Sequence, residues 1–270
     1  MSLQSLRVVI VAIASFIMAT LRTVIVTVRM EKNAMENETY YLPDTPDTYV
    51  FAVISIILML LFGVFAFTLG KKKSVDVDDS YGSVPTGALI LAFSLIFAAF
   101  FFTMNIFTSD TVSSSFVEII AFVFTLLSMV KFIYNGLLYK FKLSLAFQSF
   151  LAMMPIFLTV FRLLGDFISK SAAPFASSGG YHIIGLVAVM LFFLLEGRSY
   201  VSPTMAFLYS FFGYTAVFFL VVYAVPDLIL HCFGTFRFDY HTAYSVVDIA
   251  TATYIATRLS SAKFRKMVSR

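Results

Sequence analysis

The chain has no tryptophan, only one cysteine and few charged side chains. Of its 270 residues, 13% are Asp, Glu, Lys or Arg and 60% are hydrophobic. About a quarter of the residues of a water-soluble domain are charged, so this composition excludes an ordinary soluble globule. The lone Cys232 cannot form an internal disulfide, a Cys-x-x-Cys redox pair or a site made of several thiolates. We expect it to be a small buried hydrophobic residue.

Motifs of known membrane-enzyme chemistry are also missing. The sequence contains no His-Glu-x-x-His, no Gly-x-Ser-x-Gly and no glycine-rich phosphate loop. We therefore predict no cofactor and do not expect an enzyme. The 12 glycines are too few and too scattered to give any span the Gly-rich interruption of a transporter with unwound helices.

Apolar blocks of about 20 residues, separated by polar loops, dominate what is present. Such a block is the length that an α-helix needs to cross the hydrocarbon of a bilayer, where backbone groups must be hydrogen-bonded within the segment. The sequence therefore predicts an all-α, polytopic transmembrane bundle in which residues 1–270 form a single membrane domain with the lipid bilayer as its surroundings. The eight predicted spans lie near 5–28, 49–69, 87–107, 115–137, 144–164, 181–197, 204–225 and 241–259.

The last of these spans is the weakest, because it is only moderately apolar and carries Asp248. A protein of seven spans with a final helix lying on the membrane surface is the alternative.

Basic residues predict the orientation. Most of the 19 Lys and Arg residues fall in loops on the side of the amino terminus, including the run Lys71–Lys73 and the tail after Arg258. Because positive loops stay in the cytoplasm, both termini are predicted to be cytoplasmic, in the cell membrane of a bacterium. These loops also account for the net charge of +4, so no nucleic-acid partner is predicted.

A weak internal similarity suggests a duplication. The third and seventh spans both open with Pro-Thr, at Pro85 and Pro203, and share several Ala and Phe positions beyond it. We interpret this as a tandem repeat of four plus four spans related by an axis along the membrane normal.

Ionisable side chains within spans are the candidates for function, because each costs about 2.5–3.5 kcal/mol at the centre of a helix. Helical spacing places Tyr244, Asp248, Thr251 and Arg258 on one face of the eighth span. The hypothesis is a polar cavity that binds a small charged solute, lined by Arg22, Glu118, Arg162, Tyr244, Asp248 and Thr251.

The alternative is structural: the same groups form ion pairs that fix the register of the helices. Arg162 and Asp166 are spaced i to i+4 and could pair locally. Lys131 and Asn135 at the inner end of the fourth span are expected to be an interfacial anchor.

Metal binding is a further alternative. The candidate ligands are His182, His231, His241 and Asp227. Their spacing matches no known motif and each histidine lies at the end of a span, where water can solvate it, so no metal site is predicted.

Two functions follow from these patterns. A small-solute permease is favoured by the charges buried in the spans and by the suggested duplication. A non-catalytic membrane partner or assembly subunit of a larger complex is favoured by the scarce glycine and the short loops. A polar cavity lined by Asp248 distinguishes the first from the second.

Overall fold

The computed structural model describes residues 3–36, 46–69, 73–76, 85–108, 116–138, 144–171, 177–232 and 240–266. Within these ranges the chain forms eight long α-helices, which confirms the predicted all-α bundle. They are α1 (Leu3–Glu36), α2 (Pro46–Phe67), α3 (Pro85–Thr108), α4 (Phe116–Ile133), α5 (Leu145–Ser171), α6 (Ser177–Ser199), α7 (Ala206–Cys232) and α8 (Tyr240–Ser261).

Short elements occur at one end of the bundle. A π-helical turn, Tyr134–Leu138, continues α4. Three strands form a small antiparallel sheet of order β2-β1-β3, with β1 at Lys73–Asp76, β2 at Thr204–Met205 and β3 at Lys263–Lys266.

The sheet shows how the helices run. β1 follows α2, β2 precedes α7 and β3 follows α8, so these three helix ends lie together. The start of α1 is at the same end, because the Gln4 side chain donates to the carbonyl of Leu259 and Arg7 donates to that of Phe65. We call this the sheet end of the bundle and the opposite end the cavity end. The two termini of the helical bundle therefore share one side, and consecutive helices run antiparallel.

Seven helices, α1 to α7, are long and apolar enough to cross a membrane. Large apolar side chains on their outer faces, such as Phe16, Leu60, Phe93 and Phe167, are more than half exposed. An apolar exterior with charged side chains confined to the interior is the pattern of a protein whose solvent is lipid.

The eighth helix is the most enclosed part of the bundle. It packs along α3 and α7 and also touches α1. Two opposite faces of α8 are buried: one carries Asp248, and the other carries Ala243 and Ala250. The alternative of a surface-lying final helix is therefore wrong: α8 is less apolar than the others because helices, rather than lipid, surround it.

Close approach to α8 depends on glycine. A Cβ atom at Gly213 of α7 would lie 2.8 Å from Cδ1 of Leu259, a side chain with no exposed surface. At Gly87 of α3 it would lie 2.3 Å from Oγ1 of Thr257. Small residues at these positions let the backbones approach, as is common between membrane helices.

We expect Gly213→Leu to push α7 from α8 and to destabilise the bundle by about 1–3 kcal/mol, the usual cost of overpacking. Gly180→Leu is the matched control, because a Cβ atom there meets nothing within 4 Å. The fraction of detergent-solubilised protein that stays monodisperse after heating measures the effect. Equal thermal stability of the two variants would contradict the packing described.

Helix packing gives the predicted repeat no support. Helix α5 packs extensively along α6, whereas α1 touches α2 only slightly and packs along α7 instead. Two halves related by a two-fold axis would give α1 and α5 equivalent neighbours, so the duplication stays a prediction from the sequence.

Candidate functional site

Four charged or titratable side chains meet near the cavity end, and we call them the Asp248 cluster: Arg162, Asp166, His182 and Asp248. They come from three helices, α5, α6 and α8. Arg162 donates from Nη1 to Oδ1 of Asp248 over 2.7 Å, and the two side chains are 9% and 1% exposed. The arginine therefore pairs across helices, with a residue 86 positions away in sequence.

His182 bridges two carboxylates. Its Nε2 lies 2.9 Å from Oδ2 of Asp248, and its Nδ1 is hydrogen-bonded to Oδ2 of Asp166. The ring of Tyr223 from α7 stacks on the imidazole with 4.1 Å between centroids. The histidine is 5% exposed, so the expectation that water solvates it at the end of its span is wrong. Helix α6 begins four residues earlier than the predicted span, which carries His182 into the bundle.

Aromatic rings complete this region. The guanidinium of Arg162 lies over the ring of Tyr244, 4.4 Å from its centroid. The hydroxyl of Tyr244 is in turn 3.0 Å from that of Thr125 on α4. Arg162 therefore contacts this ring as well as Asp248, and a cation over an aromatic face is stabilised by the ring quadrupole.

A cavity of about 60 Å³ opens beside the cluster. Three carboxylates line it, from Glu118 of α4, Asp166 of α5 and Asp248 of α8. The other lining residues are Ala121, Phe161, Arg162, Gly165, His182, Tyr223, Tyr244 and Ser245. A single water needs at least about 10–15 Å³, so the cavity has room for a few waters or one small solute.

A second cavity lies deeper in the bundle and is mostly apolar. Its volume is about 20 Å³, and Arg162 and Asp248 line it as well as the first cavity. Thr159 and Thr251 are the other polar residues on its wall, and Phe132 and Phe193 also line it. The Arg162–Asp248 ion pair therefore separates a polar cavity from an apolar one.

A second buried charged group lies near the sheet end, and we call it the Glu196 cluster: Lys131, Glu196, Tyr254 and Arg258. Lys131 Nζ is 3.2 Å from Oε2 of Glu196, while Arg258 Nε and the Tyr254 hydroxyl each donate to Oε1 over 2.8 Å. The ammonium of Lys131 also lies 4.9 Å from the ring centroid of Phe193. Asp248 and Arg258 are ten residues apart on α8, so the two clusters are about 15 Å apart along that helix.

The Glu196 cluster corrects the sequence interpretation. Lys131 is 2% exposed and Asn135 is 6% exposed, so neither is an interfacial anchor. Glu196 has no exposed surface and was not among the predicted site residues. The sequence does contain a signal for its burial: Val189, Phe192, Phe193 and Glu196 follow the i, i+3, i+4, i+7 spacing of one helix face.

Arg22 has a different role from the predicted one. It does not line the cavity: its Nη1 donates to the carbonyl of Val222 on α7 over 2.9 Å, and its guanidinium lies over the rings of Tyr181 and Tyr223. Pro226 lies inside α7 and has no N–H, so it leaves the carbonyl four residues earlier, that of Val222, without its helical donor. Arg22 supplies that donor from α1.

This contact predicts a paired effect on stability. Arg22→Leu should cost about 1–3 kcal/mol, because the Val222 carbonyl is left unsatisfied in an apolar interior. Pro226→Ala should recover part of that loss in the double variant, since an N–H at position 226 restores the helical bond. Thermal stability in detergent measures both. A double variant as unstable as the sum of the two single changes would contradict this role.

The remaining predicted residues divide into three groups. Glu118, Arg162, Tyr244 and Asp248 line the polar cavity, as the hypothesis required, and Thr251 lines the deeper one. Asp227 accepts a hydrogen bond from Ser245 over 2.5 Å, and the ring of His231 contacts its carbonyl. The side chain of His241 lies outside the described residues.

Two features concern metals and thiols. Within the described part of the chain, no group of three or more His, Cys, Asp and Glu is arranged to hold a metal ion.

Cys232 is exposed at the end of α7, so the expectation of a buried cysteine is wrong. It follows Pro226 by almost two turns, on a part of α7 that extends beyond the predicted span.

The geometry is thus an acidic cavity with a buried ion pair at its base. Comparison of the chain with protein-family models, with curated proteins and with solved structures finds no match.

Proposed function

We propose that this membrane protein is a permease for a small organic cation, of ammonium or guanidinium size, which binds in the cavity at the cavity end. The observation that carries the proposal is the convergence of three carboxylates, from Glu118, Asp166 and Asp248, on one small cavity within a lipid-facing bundle. Ionisable groups inside a membrane protein commonly mark the pathway of an ion or a substrate.

Charge favours a cation. Three carboxylates line the cavity, whereas two lining side chains can carry a positive charge: Arg162, which is already paired with Asp248, and His182. The carboxylates are therefore in excess. The volume of about 60 Å³ limits the solute to a few heavy atoms.

The deeper cavity favours a transport role over a static binding site. Arg162 and Asp248 line both cavities, so movement of this one ion pair would join them. Beyond the apolar layer of Phe132 and Phe193 lies the Glu196 cluster, which provides charged groups near the sheet end. A solute that leaves the first cavity would thus cross a short apolar barrier.

Equilibrium binding of radiolabelled guanidinium to the detergent-purified protein tests the proposal. We expect the wild type to bind guanidinium saturably. Glu118→Gln should bind it at least about tenfold more weakly, because a charged hydrogen bond contributes about 1.5–3 kcal/mol. Asp76→Asn is the matched control, since Asp76 ends β1 at the sheet end, opposite the cavity, and it should bind as the wild type does. Binding of acetate as tight as that of guanidinium, or unchanged affinity for guanidinium in Glu118→Gln, would contradict a cation site.

The orientation is part of the proposal: the sheet end is cytoplasmic and the cavity opens to the outside, as the basic loops indicate. Cys232 is the chain's only cysteine and is exposed at the cavity end. A membrane-impermeant maleimide should therefore label intact cells that express the protein, and Cys232→Ser should abolish the signal. Labelling only after the cells are permeabilised would reverse the orientation.

A further inference from the structure

Both ring nitrogens of His182 face carboxylate oxygens, Nδ1 facing Asp166 and Nε2 facing Asp248. Each hydrogen bond needs one proton, and a neutral imidazole has a single N–H and a lone pair on the other nitrogen. A lone pair aimed at an ionised carboxylate is repelled by it. The bridge is therefore satisfied by two protons: an imidazolium between two carboxylates, or a neutral imidazole between a carboxylate and a carboxylic acid.

Counting charge shows what the second proton does. With two protons, the bridge of Asp166, His182 and Asp248 carries one negative charge, and Arg162 balances it. Loss of one proton would leave the Asp248 cluster with one net negative charge in a buried site, which is costly unless a positive charge replaces it. A monovalent cation in the adjoining cavity is such a replacement.

We propose that binding of the cation displaces one proton from the Asp166–His182–Asp248 bridge, so that the protein exchanges a small organic cation for a proton. This inference rests on the proposed function. As the cation enters, one N–H or O–H bond of the bridge breaks and the proton leaves through the cavity to water. The bridge keeps the other proton, and the summed charge of cavity and cation is unchanged.

The surroundings of His182 are compatible with this exchange. Histidine is the side chain that ordinarily gains and loses a proton near neutral pH. Tyr223 covers one face of the ring and is itself stacked under Arg22 of α1. The titratable and charged groups that line the cavity together with His182 are Glu118 of α4, Arg162 and Asp166 of α5, Tyr223 of α7, and Tyr244 and Asp248 of α8. Arg22 of α1 and Asp227 of α7 interact with Tyr223.

Asp166→Asn removes the need for the second proton in the bridge. The amide can donate an N–H to the bare nitrogen of a neutral His182, whose own N–H then bonds to Asp248, so the bridge is satisfied without the extra proton. This variant keeps the Arg162–Asp248 pair. It should therefore fold, bind the cation more weakly and release no proton.

Calorimetry of guanidinium binding near neutral pH, in two buffers with different heats of ionisation, measures the protons released. We expect about one proton per cation in the wild type, with affinity rising up to tenfold per pH unit, and neither effect in Asp166→Asn. Binding by the wild type with the same heat in both buffers would overturn the exchange and leave the permease standing. Absence of saturable binding of radiolabelled guanidinium by the same protein would overturn both.

A readout without solute tests the bridge itself. Nitrogen NMR of histidine-labelled protein, with the His182 signals assigned by comparison with His182→Gln, shows whether the ring nitrogens carry protons. Infrared difference spectra show whether a carboxyl group is protonated. A ligand-free wild type near neutral pH with one bare nitrogen at His182 and no protonated carboxyl would overturn the inference.

Discussion

Glu196→Gln is expected to unfold much of the protein, whereas Lys131→Met is expected to be tolerated. Glu196 is the carboxylate on which both Lys131 and Arg258 converge, and none of its surface is exposed. Its neutralisation leaves two cations close together in an apolar interior. Removal of one partner of a buried ion pair costs about 3–5 kcal/mol, and here two partners are affected.

Lys131→Met is the matched variant, because the remaining pair of Glu196 and Arg258 is still balanced in charge. We expect it to cost at most about 1.5–3 kcal/mol, the worth of one charged hydrogen bond. The double variant should be more stable than Glu196→Gln alone, since one of the two repelling cations is gone. Monodispersity after heating in detergent ranks the three variants, and a Lys131→Met as unstable as Glu196→Gln would refute the charge balance described.

The second large effect concerns Asp248→Asn, which should lose both cation binding and stability. Asp248 is 1% exposed and is bonded to Arg162 and to His182. The amide keeps the shape but removes the charge that both partners face. The cost of an unpaired buried charge, about 3–5 kcal/mol, applies to Arg162.

Asp166→Asn separates the loss of function from the loss of fold. Asp166 is 19% exposed and bonds to His182, while the hydrogen bond between Arg162 and Asp248 does not include it. We expect a nearly normal yield of folded protein and guanidinium binding weakened by about tenfold or more. Normal binding by this variant would show that the cavity is not the site, whatever the fate of Asp248→Asn.

The helices could be predicted because their signal is local. The length and apolarity of each block are enough to predict that α1 to α7 are spans. The position of α8 could not be predicted, because its low apolarity had two explanations, a surface position or burial among helices. Helix ends were displaced where a helix continues beyond its most apolar run, as α7 continues to Cys232.

The site could be predicted only in part. The rule that a charge within a span is functional or paired found Arg162 and Asp248, and it placed both on interior faces. It could not find their pairing, because the partners lie 86 positions apart and depend on which helices are neighbours.

Charges near the ends of spans were misjudged for a related reason. Their place near a span end led to the expectation that water solvates His182 and that Lys131 is an interfacial anchor, and no role was predicted for Glu196. The structure buries all three side chains. For Arg22, the explanation required Pro226 of a distant helix, a link that no periodicity shows.

Transport of guanidinium into liposomes that contain the purified protein decides whether the protein is a cation permease. With an acidic interior and a neutral exterior, the wild type should take up radiolabelled guanidinium faster than protein-free liposomes, and Asp166→Asn should take it up much more slowly than the wild type. A wild-type rate equal to that of protein-free liposomes, in protein that is folded and reconstituted, would contradict the central claim that this cavity serves the passage of a small cation.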